Sequence, residues 1–148
     1  LHLGVPGHGI TVAVPVKSVG GGQAVSYLNG SSTGAKYTRP EKFNYELVIA
    51  IANAGTTDIV MNAARAAGAR GGTGIHGKGT GSGDAQKFHH ISIADEKEVV
   101  LIVAAAEIKS AVMYSILEKA GQGSAAGALV FSLPISEAAG FGFIQREN

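Results

Sequence analysis

The stretch from Gly71 to Gly83 holds the two patterns in this chain most suggestive of phosphate chemistry. Gly72-x-Gly74-x-x-Gly77 matches the dinucleotide fingerprint letter for letter. Gly72-x-x-x-x-Gly77-Lys78 falls one residue short of a P-loop, because Gly79 stands where Ser or Thr is needed. Both chemistries require a strand before the glycines and a helix after them, so that the helix N-terminus faces the phosphate. Here a helical pattern precedes, and Gly79-Thr80-Gly81-Ser82-Gly83, a run in which no helix starts well, follows. The stretch therefore reads as a β-strand running into a loop. Lys78 is placed to neutralise an anion there, although a solvated lysine is the simpler reading.

Other chemistries find less support. His2, His8, His76, His89 and His90 show no ligand spacing, and adjacent His89 and His90 would point to opposite faces of a strand. No metal is expected. Asp95, Glu96 and Glu98 surround Lys97 in what reads as a solvated charged turn. No G-x-S-x-G elbow occurs, and nothing argues for catalysis. There is no cysteine, which excludes disulfides and thiolate metal sites. Net charge is +1 without a basic stripe, so neither nucleic acid nor an anionic membrane is indicated. No apolar run is long enough to span a bilayer, and no signal peptide is visible. A cytoplasmic protein is the expectation.

The elements that must position these residues follow from periodicity. Ile10 to Val16 reads as a strand, and residues 23–42 have linker composition. Glu46 to Ala52 is a β run. Thr56 or Thr57 is placed to cap a helix in which Ile59, Val60, Ala63, Ala64 and Ala67 recur at helical spacing, with Gly68 as its C′ residue. Phe88 to Ile93 looks extended. Val99 to Ala104 is a strongly apolar strand. Glu107 to Ala120 predicts a second helix with Ile108, Val112 and Ile116 on one face, widened by Met113 and Leu117. Gln122 to Gly127 is a loop, and Leu129 to Leu133 a last strand closed by Pro134. The order β-α-β-β-α-β over residues 43–148 is that of an α+β, ferredoxin-like sandwich.

Two further expectations concern organisation. Gly4–Gly21 repeats Gly123–Gly140 at constant offset, pairing Pro15 with Pro134 and Gly21 with Gly140. Residues 1–22 then read as the last strand of a preceding repeat whose earlier part lies outside this sequence. Separately, Val99-Val-Leu-Ile-Val103 is apolar on both faces, and Leu47 to Ile51 is nearly so. Two helices cover one face of a four-stranded sheet, so the other face calls for a second layer, from a repeat or another subunit.

Ala66-Ala-Gly-Ala-Arg-Gly-Gly-Thr73, the loop Gly77-Lys-Gly-Thr-Gly81, the strand Glu96-Lys-Glu-Val-Val-Leu-Ile-Val103 and Ala128-Leu-Val-Phe-Ser-Leu-Pro-Ile135 together resemble the nitrogen regulatory P-II family. The resemblance covers about residues 43–140. It implies a homotrimer with sheets packed around a central axis, and adenine nucleotides (ATP, ADP or AMP) bound in clefts between subunits. It also implies a signalling role in which a loop, the T-loop, docks onto a protein partner such as a transporter or enzyme. The implied ligand-binding positions are Gly77, Lys78, Gly79, Thr80 and Gly81 at the T-loop base. Gly121, Gly123 and Gly127 follow in a second loop, the B-loop, where backbone N–H groups can face phosphate.

The chain departs from the family pattern where ligand chemistry is concentrated. Gly83 stands where the family has a magnesium-linked Gln, Leu129 where it has a phosphate-binding basic residue, and Gly140 and Gly142 where it has arginines, with Arg146 nearby. The T-loop has no tyrosine, which excludes uridylylation of one there. Two alternatives therefore stand beside the nucleotide sensor: a ligand-free interaction module on the same fold, and a metal-binding trimer like the CutA proteins.

Overall fold

The computed structural model describes residues 9–15, 43–79, 87–88, 91–92 and 96–140. The chain divides into two compact units, Asn44–Leu133 and a second made of Leu1–Phe43 with Pro134–Asn148. The elements are β1 (Thr11–Ala13), β2 (Tyr45–Asn53), α1 (Thr57–Ala66), β3 (Thr73–Lys78), β4 (Lys87–Phe88), β5 (Ile91–Ser92), β6 (Glu96–Ala105), α2 (Lys109–Ala120), β7 (Leu129–Ile135) and β8 (Glu137–Ala139).

The expected β-α-β-β-α-β order is realised by β2, α1, β3, β6, α2 and β7, whose strands form one sheet in the order β3-β6-β2-β7. β6 pairs antiparallel with both β2 and β3, with Ile49 and Thr73 each opposite Leu101. Alternation along β2 and β6 sends Val48, Ala50, Ala52, Val100, Ile102 and Ala104 to the helix side, where all are buried. They meet Val60, Met61, Ala63 and Ala64 of α1 and Val112, Ile116 and Ala120 of α2 in a single core. Each fully buried Val or Ile side chain contributes on the order of 1.5–3 kcal/mol. The Ser115 hydroxyl, also buried, donates to the Ala63 carbonyl at 2.7 Å and ties the helices together.

The helix ends are settled in two ways. At the C-terminus of α1, Gly68 takes φ +98° while its N–H donates to Arg65 O and that of Ala69 to Ala64 O. This is the Schellman arrangement that the glycine at C′ predicted. At the N-terminus Thr56 is the N-cap residue but makes no side-chain cap, because its hydroxyl donates to Asn53 O. The cap comes instead from β6. One Glu98 carboxylate oxygen accepts from the Thr57 hydroxyl (2.5 Å), the Thr57 N–H (2.9 Å) and the Thr56 N–H (3.2 Å). Glu98 is therefore not part of a solvated turn: β6 begins at Glu96, and Glu98 is buried on the helix side.

Other boundaries shift. α2 starts at Lys109 rather than Glu107, and Leu117 is exposed rather than part of the buried face. Pro134 lies inside β7 instead of closing it, and among the described residues β7 is an edge strand, the kind of strand within a sheet that accepts proline. The extended reading of Phe88 to Ile93 becomes two short antiparallel strands, Lys87 opposite Ser92 and Phe88 opposite Ile91. The strand expected over Ile10 to Val16 is described only as β1, paired with the unforeseen β8. The linker and Val16 lie outside the described residues.

The false fingerprint finds its explanation here. A Cβ on Gly72 would stand 2.7 Å from Met61 Sδ, 3.0 Å from Leu101 O and 3.1 Å from an Ile102 side-chain carbon. Gly72 lets the chain pass closely over the core between α1 and β3, so its glycine is a packing requirement. Gly72→Ala should cost about 1–3 kcal/mol in urea unfolding. Gly71→Ala, where an added Cβ meets nothing within 4 Å, should stay within about 0.5 kcal/mol of wild type.

The Glu98 cap also has a pH signature. The Thr57 hydroxyl first, then the N–H groups of Gly55, Thr57 and Thr56, hold its carboxyl below the ordinary range against the opposing effect of burial. A depressed folded pKa means stability present above the unfolded value and lost as pH falls through the folded one. Glu98→Gln should therefore lower Tm at neutral pH. The gap to wild type should close on acidification below about pH 4.3, the ordinary glutamate value, when melting is followed by circular dichroism.

Candidate functional site

The ends of β3, β6 and β2 lie side by side. Register puts Gly77 opposite Lys97 on one side and Asn53 opposite Lys97 on the other, so Gly77, Lys97 and Asn53 form a row across one end of the sheet. The loop between α2 and β7 meets the end of this row. Asn53 Nδ2 donates to Ala125 O at 3.0 Å, the Asn53 N–H donates to Ala126 O at 2.9 Å, and a Cβ on Gly127 would sit 3.4 Å from Asn53 Nδ2. Lys97 Nζ completes the row by donating to Asn53 Oδ1 at 2.7 Å. One asparagine side chain thus joins a cation to a glycine loop.

The loop is ordered by its own serine. Ser124 Oγ donates to Gly121 O at 2.8 Å and accepts from the N–H groups of Ala126 (3.2 Å) and Gly127 (3.3 Å). The Gly121 N–H donates to Leu117 O, and that of Ala128 to Ala120 O. Gly123 and Gly127 take φ +91° and +53°. The amides of Gly121 and Gly127 are thus used inside the fold. Those of Gln122, Gly123 and Ala125 make no such bond among the described residues.

Of the ligand-binding positions named from sequence, Gly77, Lys78 and Gly79 lie at the end of β3, and Gly121, Gly123 and Gly127 in the loop before β7. The sheet brings Gly77 and Gly127 to the same end, separated by Lys97 and Asn53. Thr80 and Gly81 lie outside the described residues, as do Gly83, His89 and His90. Lys78 is exposed and stands opposite Glu96 on the helix side of the sheet, not beside Lys97. His76 Nδ1 lies 3.8 Å from Glu98 Oε1, but its side chain is 91% exposed. Among the described residues no three His, Cys, Asp or Glu side chains gather as a metal site requires, and no helix is long and apolar enough to cross a membrane.

Asn53 and Lys97 were not singled out from sequence. An asparagine ending a β run reads as a turn former, and a lysine between two glutamates as part of a charged corner. Only the register places both next to the loop before β7, about seventy residues beyond Asn53 and about thirty beyond Lys97.

Beside this row lies the face of the sheet away from the helices. Leu47, Ile49 and Ile51 of β2 and Val99, Leu101 and Val103 of β6 are only half-buried. Ile75, Leu129, Phe131 and Leu133 on the flanking strands are exposed. Ten apolar side chains thus line a face bounded at one end by Lys97 and Asn53, which agrees with the two-faced apolar runs of the sequence.

Comparison with known proteins bears on this architecture. A search of curated proteins returned no match. Among solved structures, PII from Arabidopsis thaliana bound to citrate is similar, with a TM-score of 0.50 and 23% sequence identity. The likeness spans 64% of this chain and 78% of the plant chain. It shows the shared fold. The family model described as nitrogen regulatory protein P-II matches residues 45–141, which contain the whole sheet, both helices and the glycine loop. With about two thirds of its length matched and the ferredoxin-like order realised strand by strand, the chain belongs to the nitrogen regulatory protein P-II family.

Proposed function

We propose that the chain is a P-II-type regulatory protein that assembles as a homotrimer through its open sheet face and holds an adenine nucleotide at the cleft beside that face. The observation that carries this reading is the row Gly77–Lys97–Asn53 running into the Gly121–Gly127 loop, at the rim of a ten-residue apolar face. An anion at this rim would meet Lys97 and the amides near Gly123. In this reading Lys97 supplies the positive charge lost where Leu129 replaces the family's basic residue. The Gly77–Gly81 segment would form the T-loop base, with Lys78 and Gly79 carrying the loop toward a transporter or enzyme partner. The family's regulatory role supports a sensor rather than an enzyme, acting in the cytoplasm.

A second reading, an interaction module without a nucleotide, is favoured by one specific feature. Ser124 already satisfies the Ala126 and Gly127 amides, leaving fewer donors for phosphate.

Titration calorimetry with ATP, ADP, AMP and cyclic nucleotides separates the two. Saturable binding by at least one nucleotide is expected, weakened about tenfold in Lys97→Gln, as loss of one charge-assisted hydrogen bond predicts. Absence of heat with all of them would leave the module reading. Static light scattering should give three chains per particle, and a dilute, folded monomer would overturn the trimer.

A further inference from the structure

Asn53 stands where the cation and the loop before β7 meet. Its Oδ1 accepts from Lys97 Nζ at 2.7 Å, and its Nδ2 donates to Ala125 O at 3.0 Å. The two ends of the amide are not interchangeable. A half-turn about the Cβ–Cγ bond would set Oδ1 against the Ala125 carbonyl and Nδ2 against the Lys97 ammonium, acceptor on acceptor and donor on donor. The charge on Lys97 therefore selects the one orientation of the amide that also holds the loop.

The loop is of a kind that such a bond can order. Its internal ties from Ser124 Oγ to the Ala126 and Gly127 N–H groups are 3.2 and 3.3 Å long, at or beyond the long end of the hydrogen-bond range. Gly123 and Gly127 both take positive φ. A Cβ on Gly127 would stand 3.4 Å from Asn53 Nδ2, so the loop lies close against the amide. The backbone tie from the Asn53 N–H to Ala126 O, at 2.9 Å, does not depend on the side chain at 53. It keeps the loop docked when the side-chain tie is lost, so the contribution of the amide can be read by itself.

We propose that Asn53 is a positioning residue through which the order of the Gly121–Gly127 loop depends on Lys97. The residue type fits this task. An aspartate would still accept from Lys97, but it would neutralise the charge and oppose a carboxylate oxygen to the Ala125 carbonyl. The amide holds both partners and leaves the ammonium charge available. The use of this coupling rests on the anion site proposed above. An anion drawn to Lys97 meets loop amides already ordered beside it, which lowers the cost of ordering them on binding. Coupling of this kind is reciprocal, so an anion held by the loop also steadies Lys97.

Hydrogen–deuterium exchange of the full chain without ligand tests the proposal, read over residues 121–128. Lys97→Gln should speed exchange there about threefold, as loss of one exposed hydrogen bond predicts. Lys97→Arg, which keeps the charge and a donor, should leave it near wild type. Asn53→Asp should speed it although Lys97 is retained. In a chain already carrying Asn53→Ala, Lys97→Gln should add less than about 1.5-fold, a non-additivity that independent structural roles do not produce. Circular dichroism melting identifies any variant that loosens the whole unit, and Asn53→Ser replaces Asn53→Ala in the cycle where that one does. Loop exchange unchanged in Lys97→Gln overturns the proposal, as do increases that simply multiply in the double variant. Absence of nucleotide heat in wild type would count against the nucleotide reading and not against this coupling, which is decided without ligand.

Discussion

The four-stranded unit depends on one buried carboxylate. Glu98 projects from the second residue pair of β6 onto the first turn of α1 and accepts three hydrogen bonds on one oxygen. It satisfies donors that a helix start leaves unpaired, and it complements the positive end of the helix dipole. The strand so anchored is one of the two central ones, hydrogen-bonded to both β3 and β2. Fixing α1 to β6 therefore fixes the floor of the core and the start of the connection into β3. The α1 N-terminus thus already holds a protein carboxylate, and in the proposed nucleotide-binding reading the anion falls instead to the loop before β7 and to Lys97.

Alternation along β6 turns this anchoring into a site. Glu98 faces the helices, so its neighbour Lys97 faces the other way, toward the open apolar surface and Asn53. A shift of one residue in register would exchange the two, burying a lysine under α1 and exposing the cap. The helix cap and the cation at the sheet rim are thus consequences of a single register choice. The apolar face beside that cation is the surface expected to meet other subunits, so ligand and assembly would share one border.

Much of this was legible in the sequence because it follows from local periodicity. The apolar strands, both helices, the terminating Gly68 and the layer missing from one sheet face are all readable from spacing. What stayed hidden depends on pairing between distant segments. Glu98 looked like part of a solvated corner, since Asp95-Glu-Lys-Glu98 has the composition of a turn. Its helix partner lies forty residues earlier, and nothing in the local string announces it. Thr56 looked like a cap because its residue type is right, yet its hydroxyl turns back to Asn53. Pro134 looked like a strand end because its edge position is a property of the sheet. The glycine positions were found, but the two residues that connect them, Asn53 and Lys97, belong to no local motif.

The close passage of Gly72 over Met61 has a consequence for how the sequence can drift. Side-chain volume at positions 61 and 72 is drawn from one small space, shared also with Ile102. An added methyl at 72 is accommodated only if 61 gives up a comparable volume, so the two sites should be inherited as a pair, eleven residues apart in the chain. The letters that imitate a cofactor fingerprint are then a record of steric bookkeeping between a helix and the strand that follows it.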